Sequence, residues 1–271
     1  MNLDPTAPFI PVFIGAMVLE SALLARRGRP YDRADALTSL GLGVAMSLTL
    51  TLFRGVEVAL YSAFYQIRIL DLGASAALWP LLPLLDDLAY YSFHRASHEV
   101  RALWAIHVNH HSSTRYHLAT ALRQPPLEPL VTWPFWVPLA LLGVTPTQII
   151  LMKAISNIYQ FFLHTELVGR LGPLEWVLNT PSHHRVHHGS DPEYLDRNYG
   201  GTTILWDRLF GTFAREERPV TYGLTTNLDR HDLAHVWLHE WRAIGRDLAR
   251  RPRRFARTLL EGPGKASSLN Q

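Results

Sequence analysis

The segment Asp86-Asp-Leu-Ala-Tyr-Tyr-Ser-Phe-His94-Arg-Ala-Ser-His98 closes an apolar stretch that begins at Ala74. Its two histidines are four residues apart, so a helix carries both imidazoles on one face, one turn apart. Two imidazoles in that arrangement can share one metal ion. Because the pair directly follows the apolar stretch, we expect it at the boundary between a membrane and water.

Further along the chain, two clusters repeat the pattern H-x-x-H-H, and a lone His164 follows another apolar stretch. The clusters are His107-Val-Asn-His110-His111 and His183-His184-Arg-Val-His187-His188. On a helix the first histidine and the last two share a face, so each short segment can offer three ligands. Crowded imidazoles repel one another when protonated and are costly when buried without partners. The clusters therefore predict a metal centre.

The donor set restricts the metal. The chain has no cysteine, which excludes disulfide scaffolds, thiolate zinc sites, iron–sulfur clusters and thiol nucleophiles. The many clustered imidazoles exceed the needs of one tetrahedral ion, suffice for two ions with open positions, and suit iron. The His94–His98 pair lacks the glutamate that serves as the base in zinc proteases with an H-E-x-x-H motif.

Five apolar stretches predict a membrane protein. They are Phe9–Ala25, Ala36–Phe64, Ala74–Phe93, Leu127–Leu142 and Ile149–Leu163. The last two are short for a span of about 20 residues, so we expect a helical hairpin that does not fully cross. The expected fold is all-α: an integral membrane helical bundle of about four to five membrane helices, capped by a cytoplasmic helical domain that carries the histidines. Within the second stretch, Arg54 and Glu57 are spaced to pair.

Charge asymmetry orients this bundle. The segments Arg26–Arg33 and Arg95–Arg123 are basic, whereas Pro5–Pro8 and Gly143–Thr147 carry no positive charge. The positive-inside rule then puts the N-terminus outside and the histidine clusters on the cytoplasmic side. Because the first basic residues follow the apolar run, we expect a retained helix and not a signal peptide. The net charge is only +3, and its arginines flank apolar segments, which favours a membrane and not nucleic acid as the partner.

Longer blocks of sequence resemble the fatty acid hydroxylase/sterol desaturase superfamily of membrane di-iron enzymes, and most closely its alkylglycerol monooxygenase-like branch. The histidine clusters resemble the three histidine boxes of that superfamily. The resemblance spans about residues 80–225 and runs through Asp87–Arg95, His110–Ser113, Ala119–Gln124, Gln160–Glu166, Leu174–Gly189, Asp196–Gly201 and Ile204–Phe213.

The resemblance implies a set of metal ligands. They are His94, His98, His107, His110, His111, His164, His184, His187 and His188, with His183 as the tenth candidate. Asp87, Asn179 and Glu166 are expected to orient these ligands. We exclude His117, which takes a position where the branch usually has another residue. The stripe His231, His235 and His239 lies outside the matched blocks, and we interpret it as a helix face.

The implied reaction is O₂-dependent hydroxylation or desaturation of a lipid C–H bond, on an ether lipid, a fatty acyl chain or a sterol-like molecule. Two iron ions are the expected cofactor. The electrons come from an external donor: tetrahydrobiopterin in the alkylglycerol branch, a ferredoxin or a cytochrome b5-like partner in others. The alternatives are a sterol- or carotenoid-type desaturase or hydroxylase of the same superfamily and a non-catalytic membrane metal carrier or sensor.

The chain is expected to have three parts. Residues 1–80 form the N-terminal membrane helices, residues 81–225 the catalytic domain, and residues 226–271 a C-terminal helix with a basic tail. Helical periodicity over Asp229–Ala249 predicts that last helix, and the final eight residues are expected to be disordered.

Overall fold

A computed structural model describes residues 4–263. The regular secondary structure of this part of the chain is entirely helical, without a β-strand. The α-helices in this part of the chain are α1 (Ile10–Arg26), α2 (Arg33–Gln66), α3 (Leu82–Glu99), α4 (Arg101–His111), α5 (Glu128–Leu141), α6 (Pro146–Phe161), α7 (Pro181–His187), α8 (Leu205–Phe210), α9 (Leu233–Arg250) and α10 (Phe255–Leu260). The expected all-α class is confirmed.

Two helices at the N-terminal end are long and apolar enough to cross a membrane. These candidate spans are Ala7–Arg26 and Arg33–Gln66. Most of their apolar side chains point outward; Val18 is 64% exposed and Leu52 84%. Such faces are stable against lipid and unfavourable against water. Between the helices, Asp32 caps α2 by accepting hydrogen bonds from the backbone N–H groups of the first turn.

The helix that carries the first histidine pair begins later than the apolar pattern predicts. Residues Ala76–Leu81 form a 3₁₀ segment containing Pro80, and α3 starts at Leu82 with Pro83 in its first turn. Proline interrupts a helix from within but fits its first turn, which explains the later start. Only twelve helical residues precede His94 (82 to 93), fewer than a full span needs.

The hairpin of α5 and α6 is locked by its turn. Gly143 has φ +85°, and a Cβ there would lie 2.1 Å from the carbonyl oxygen of Leu70. The Ile69 N–H donates to the carbonyl of Leu141, and the Gly73 N–H donates to that of Gly143. The turn therefore packs on the connection between α2 and α3, and only glycine fits there.

A buried ionic cluster joins α2 to α6. The predicted pair is confirmed: Arg54 Nη1 donates to Glu57 Oε2 at 2.6 Å. Lys153 Nζ reaches Glu57 Oε1, also at 2.6 Å, and Tyr61 donates to the same oxygen at 3.2 Å. Buried charges must be paired, so this cluster holds the two helices in one register.

The C-terminal part covers α4. Arg101 at the start of α4 donates to Glu240 and Asp247 of α9, both at 2.7 Å. The helix predicted over Asp229–Ala249 is thus confirmed, with its first residue at Leu233. The last eight residues of the expected basic tail lie outside the described residues. These contacts hold α4, with its three histidines, from the outside.

Candidate metal centre

Four segments from different parts of the chain bring their histidines into one buried region. Helix α3 carries two, α4 carries three, one follows the end of α6, and the α7 segment supplies the rest. Helix α7 starts after Thr180 with Pro181 in its first turn, where a proline fits, and its histidines are buried. Nine of these imidazoles form two groups.

The first group combines α3, α4 and α7. It consists of His94, His98, His107, His111 and His187, all buried, with one ring nitrogen from each within 4.8 Å of the others. The second group consists of His110, His164, His184 and His188, also buried, within the same limit. The two groups adjoin, because the rings of His111 and His188 are stacked at 4.5 Å.

The spacing of the nitrogens fits shared metal ions. His107 Nε2 lies 3.0 Å from His94 Nε2 and 3.1 Å from His111 Nε2. His164 Nε2 lies 3.0 Å from His184 Nε2 and 3.2 Å from His110 Nε2. Two metal–imidazole bonds of about 2.1 Å at a right angle put their nitrogens about 3 Å apart. One nitrogen cannot serve two such neighbours through a single hydrogen, whereas a cation between them satisfies all three.

Several of the other nitrogens of these groups have no partner within the described protein. They include the Nε2 atoms of His98, His187 and His188, all buried. A buried nitrogen left without a hydrogen bond is costly, and a metal ion supplies the missing partner. The donor set and its geometry therefore fit bound metal in both groups.

Backbone carbonyls fix the orientation of three rings. The Nδ1 atoms of His94, His164 and His187 each lie 2.9 Å from a carbonyl oxygen, those of Tyr199, Gln160 and Arg197 respectively. An Nδ1–H donated to a carbonyl leaves Nε2 with its lone pair free for a metal. Two of the three carbonyls belong to the loop 196–203.

Two buried aspartates hold that loop. Asp207 accepts hydrogen bonds from the N–H groups of Tyr199 and Gly200 at 2.8 and 2.7 Å. Asp87, expected from the sequence to orient ligands, accepts from the N–H and hydroxyl groups of Thr202 and Thr203. These four hydrogen bonds go to the loop that presents the carbonyl of Tyr199, and none of them goes to an imidazole of the two groups.

The remaining expected residues lie around the groups. Asn179 donates to the carbonyls of Gly200 and Gly201, in the same loop as Asp87's partners. Glu166 forms an ion pair with Arg29 instead of contacting an imidazole. His183 lies in neither group; its ring packs edge-on against Phe213.

The histidines that the sequence analysis did not count as ligands also lie outside the two groups. His117 stacks on Tyr31 at 3.8 Å. Of the expected C-terminal stripe, only His235 and His239 lie on α9, because that helix starts at Leu233.

Burial sets the protonation of the ligand candidates. Removal from water, with the neighbouring imidazoles adding to it, lowers the pKa well below the ordinary value of histidine for His107, His110, His111, His184, His187 and His188. These rings are therefore neutral near pH 7, which is the form that binds metal.

Sequence reasoning missed the second supporting layer of the site. Asp207 and Tyr199 lie within the blocks quoted above, yet neither carries a motif that marks it as a support. Asp196, with φ +57°, puts a carboxylate oxygen 3.4 Å from His98 Nδ1. What distinguishes Asp196 is its positive φ, and a backbone angle cannot be read from the sequence.

Comparison with known proteins agrees with this centre. The family model described as fatty acid hydroxylase matches residues 79–212, which contain all nine grouped histidines. No solved structure matches the chain.

Curated relatives extend the similarity. Alkylglycerol monooxygenase of Xenopus tropicalis is 47% identical over 79% of this chain and 48% of its own length. The human alkylglycerol monooxygenase is 40% identical over 94% of this chain and 58% of its own length. An ornithine lipid hydroxylase of Rhizobium tropici is 30% identical over 56% of this chain and 47% of its own length. The chain thus spans about half the length of these relatives, and its residues 79–212 belong to the fatty acid hydroxylase family.

Proposed function

We propose that the chain is an O₂-dependent di-iron oxygenase of membranes that hydroxylates a C–H bond of a lipid. The observation that carries this proposal is the pair of buried imidazole groups with converging Nε2 atoms. Nine buried imidazoles and no thiolate suit two iron ions. Bound iron would supply the activation of O₂ for this reaction. The chain itself holds the ligand rings, through the carbonyls of Tyr199, Arg197 and Gln160, and excludes bulk water from them.

The relatives support a lipid as the substrate. By their names they act on alkylglycerols and on an ornithine lipid. We propose an ether lipid as the first substrate to test. Hydroxylation of the carbon next to the ether oxygen gives a hemiacetal, which collapses to an aldehyde and an alcohol, whereas acyl or sterol hydroxylation stops at the alcohol. Desaturation by a sterol-desaturase type of reaction is the alternative at the same site. An external donor, tetrahydrobiopterin, a ferredoxin or a cytochrome b5-like protein, supplies the electrons.

We also propose a multi-pass membrane arrangement with the metal centre on the cytoplasmic side. Helices α1 and α2 cross, and α3 runs from the outer side to the metal centre. The α5–α6 hairpin reaches toward the outer side without a full crossing, since its 14 and 16 residues are about 21 and 24 Å long against a hydrocarbon core of about 30 Å. Two contacts support this sidedness. The expected outer connections, residues 69–73 and 141–143, are hydrogen-bonded to each other. The expected inner ones meet through Arg29 and Glu166.

The decisive experiment combines metal analysis with lipid analysis. Purified protein is expected to contain about two irons per chain and to consume O₂ when an ether lipid and a reductant are added. Cells that express the wild type should accumulate a lipid product that is absent with His187→Ala, although both proteins reach the membrane. A fully metallated protein that consumes no O₂ with any lipid would instead favour the metal carrier or sensor.

A further inference from the structure

A cavity of about 450 Å³ lies beside the second histidine group. Its walls come from the connection between α1 and α2, from Thr114–His117, and from Glu166 and Tyr222. Tyr116 separates the cavity from the metal centre: its ring centroid is 5.7 Å from that of His164 and 5.2 Å from that of His188. A molecule bound in this cavity would thus lie one aromatic ring away from the second group.

The cavity lining carries both signs of charge. Arg29 and Arg115 are cationic, and Asp32 and Glu166 are anionic, so the formal charges of the lining cancel. Tyr31, Tyr116 and Tyr222 add aromatic faces, with Tyr116 and Tyr222 stacked at 4.8 Å. Carboxylates beside aromatic faces attract an ammonium group, and arginines attract phosphate or carboxylate. The lining therefore favours a ligand that carries both charges.

The ion pair between Arg29 and Glu166 sharpens this preference. Its side chains are 61% and 22% exposed, so the pair lies at the rim of the cavity and costs little to exchange. A zwitterion can replace both partners at once, with its ammonium on Glu166 and its anionic group on Arg29 and on Arg115 of the same lining. An anion would leave Glu166 unpaired, and a neutral head would offer neither partner a replacement charge.

We propose that this cavity binds the polar headgroup of the substrate lipid, and that this headgroup is zwitterionic: an ammonium joined to a phosphate or a carboxylate. The cavity lies at the end of the first candidate span, among the arginines that flank it, which is the level at which lipid headgroups lie. A fixed headgroup determines which carbon of the chain reaches the metal centre. This inference rests on the proposed lipid oxygenase.

Binding of matched lipids to the purified metal-loaded protein tests the proposal. Isothermal titration calorimetry in maltoside detergent compares four lipids with the same alkyl or acyl length: lysophosphatidylcholine, an N-acyl ornithine, lysophosphatidic acid and a 1-alkylglycerol. At least one of the two zwitterions is expected to bind at least tenfold more tightly than the anion and the neutral lipid. The better of the two identifies phosphate or carboxylate as the anionic group.

Variants then assign the two charges. Arg115→Gln should weaken the zwitterion and the anion alike, by about fivefold or more. Glu166→Gln should weaken the zwitterion and leave the anion bound as tightly or more tightly. Arg27→Gln is the matched control, because Arg27 lies in the same basic connection but outside the cavity lining, and it should change neither affinity. Unfolding midpoints and metal content are measured on every variant.

Equal binding of the four lipids, or affinities that Arg115→Gln and Glu166→Gln leave unchanged, would overturn the headgroup site. No turnover is needed for these measurements. If the protein binds zwitterions selectively but never consumes O₂, the headgroup site is supported and the proposed oxygenase is refuted. If it oxidises lipid but binds the four lipids equally, the oxygenase is supported and the headgroup site is refuted.

Discussion

His183 and His184 are neighbours in the chain, but their rings have different surroundings. His184 Nε2 lies 3.0 Å from His164 Nε2 within the second group, whereas the His183 ring packs on Phe213. We therefore expect His184→Ala to lose about half of the bound iron and all lipid oxidation, and His183→Ala to keep the iron. Inductively coupled plasma analysis of the purified variants measures this difference. Equal loss of iron in both variants would mean that His183 is also a metal ligand.

Asp207 is a residue whose importance depends on the loop it holds. It is fully buried, and its two oxygens accept from the N–H groups of Tyr199 and Gly200 and from the hydroxyl of Thr212. Asp207→Asn should turn one acceptor into a donor that faces the Gly200 N–H, at a cost of about 1–3 kcal/mol. The looser Tyr199 carbonyl should also speed the release of iron to a chelator. Asp229→Asn, at an exposed position outside the loop, is the control; identical release rates in the two variants would refute this role.

At the scale of elements, the pairing of α2 with α6 depends on Glu57. That side chain is 1% exposed and accepts hydrogen bonds from Arg54, Lys153 and Tyr61. Glu57→Gln leaves buried cations without their counter-charge, so we expect a loss of about 3–5 kcal/mol of stability. The thermal unfolding midpoint in detergent should fall accordingly.

A double variant separates ion pairing from packing in this cluster. Because Glu57→Gln with Lys153→Gln removes both charges of the contact, it should lose less stability than the sum of the single variants. Strict additivity of the two changes would mean that the carboxylate and the ammonium do not stabilise each other.

At the scale of the whole molecule, the proposed topology makes a labelling prediction. The chain has no cysteine, so single substitutions can be labelled without a background. Ser75→Cys, exposed in the connection between α2 and α3, should react with an impermeant maleimide added outside intact cells. Thr226→Cys, exposed before α9 on the side of the metal centre, should react only after the cells are opened. Labelling of both in intact cells would contradict the cytoplasmic position of the centre.

The sequence alone predicted much of this protein, and the reasons are local. Spacing of i, i+4 and the H-x-x-H-H pattern follow from the geometry of a helix, so the clusters at His94, His107 and His184 could be recognised as ligand-bearing segments before any fold was known. Long apolar runs likewise indicate α1 and α2, because a membrane helix needs little beyond length and apolarity. The Arg54–Glu57 pair follows from the same helical spacing.

Only the tertiary structure decided how the histidines divide. His107, His110 and His111 lie on one short helix, yet His110 joins the second group while His107 and His111 join the first. Around the helix axis His110 points about 100° from His111 and about 60° from His107, so its ring meets a different segment. Asp207 acts through Tyr199, only 8 residues away in the sequence. The contact of the Tyr199 carbonyl with His94 and the rim pair Arg29–Glu166, in contrast, join residues 105 and 137 positions apart. Such long-range contacts leave no regular spacing in the sequence, because they form only when the chain packs. Ligands on one helix, in contrast, recur at the three- and four-residue spacing of a helical turn, which a sequence shows directly.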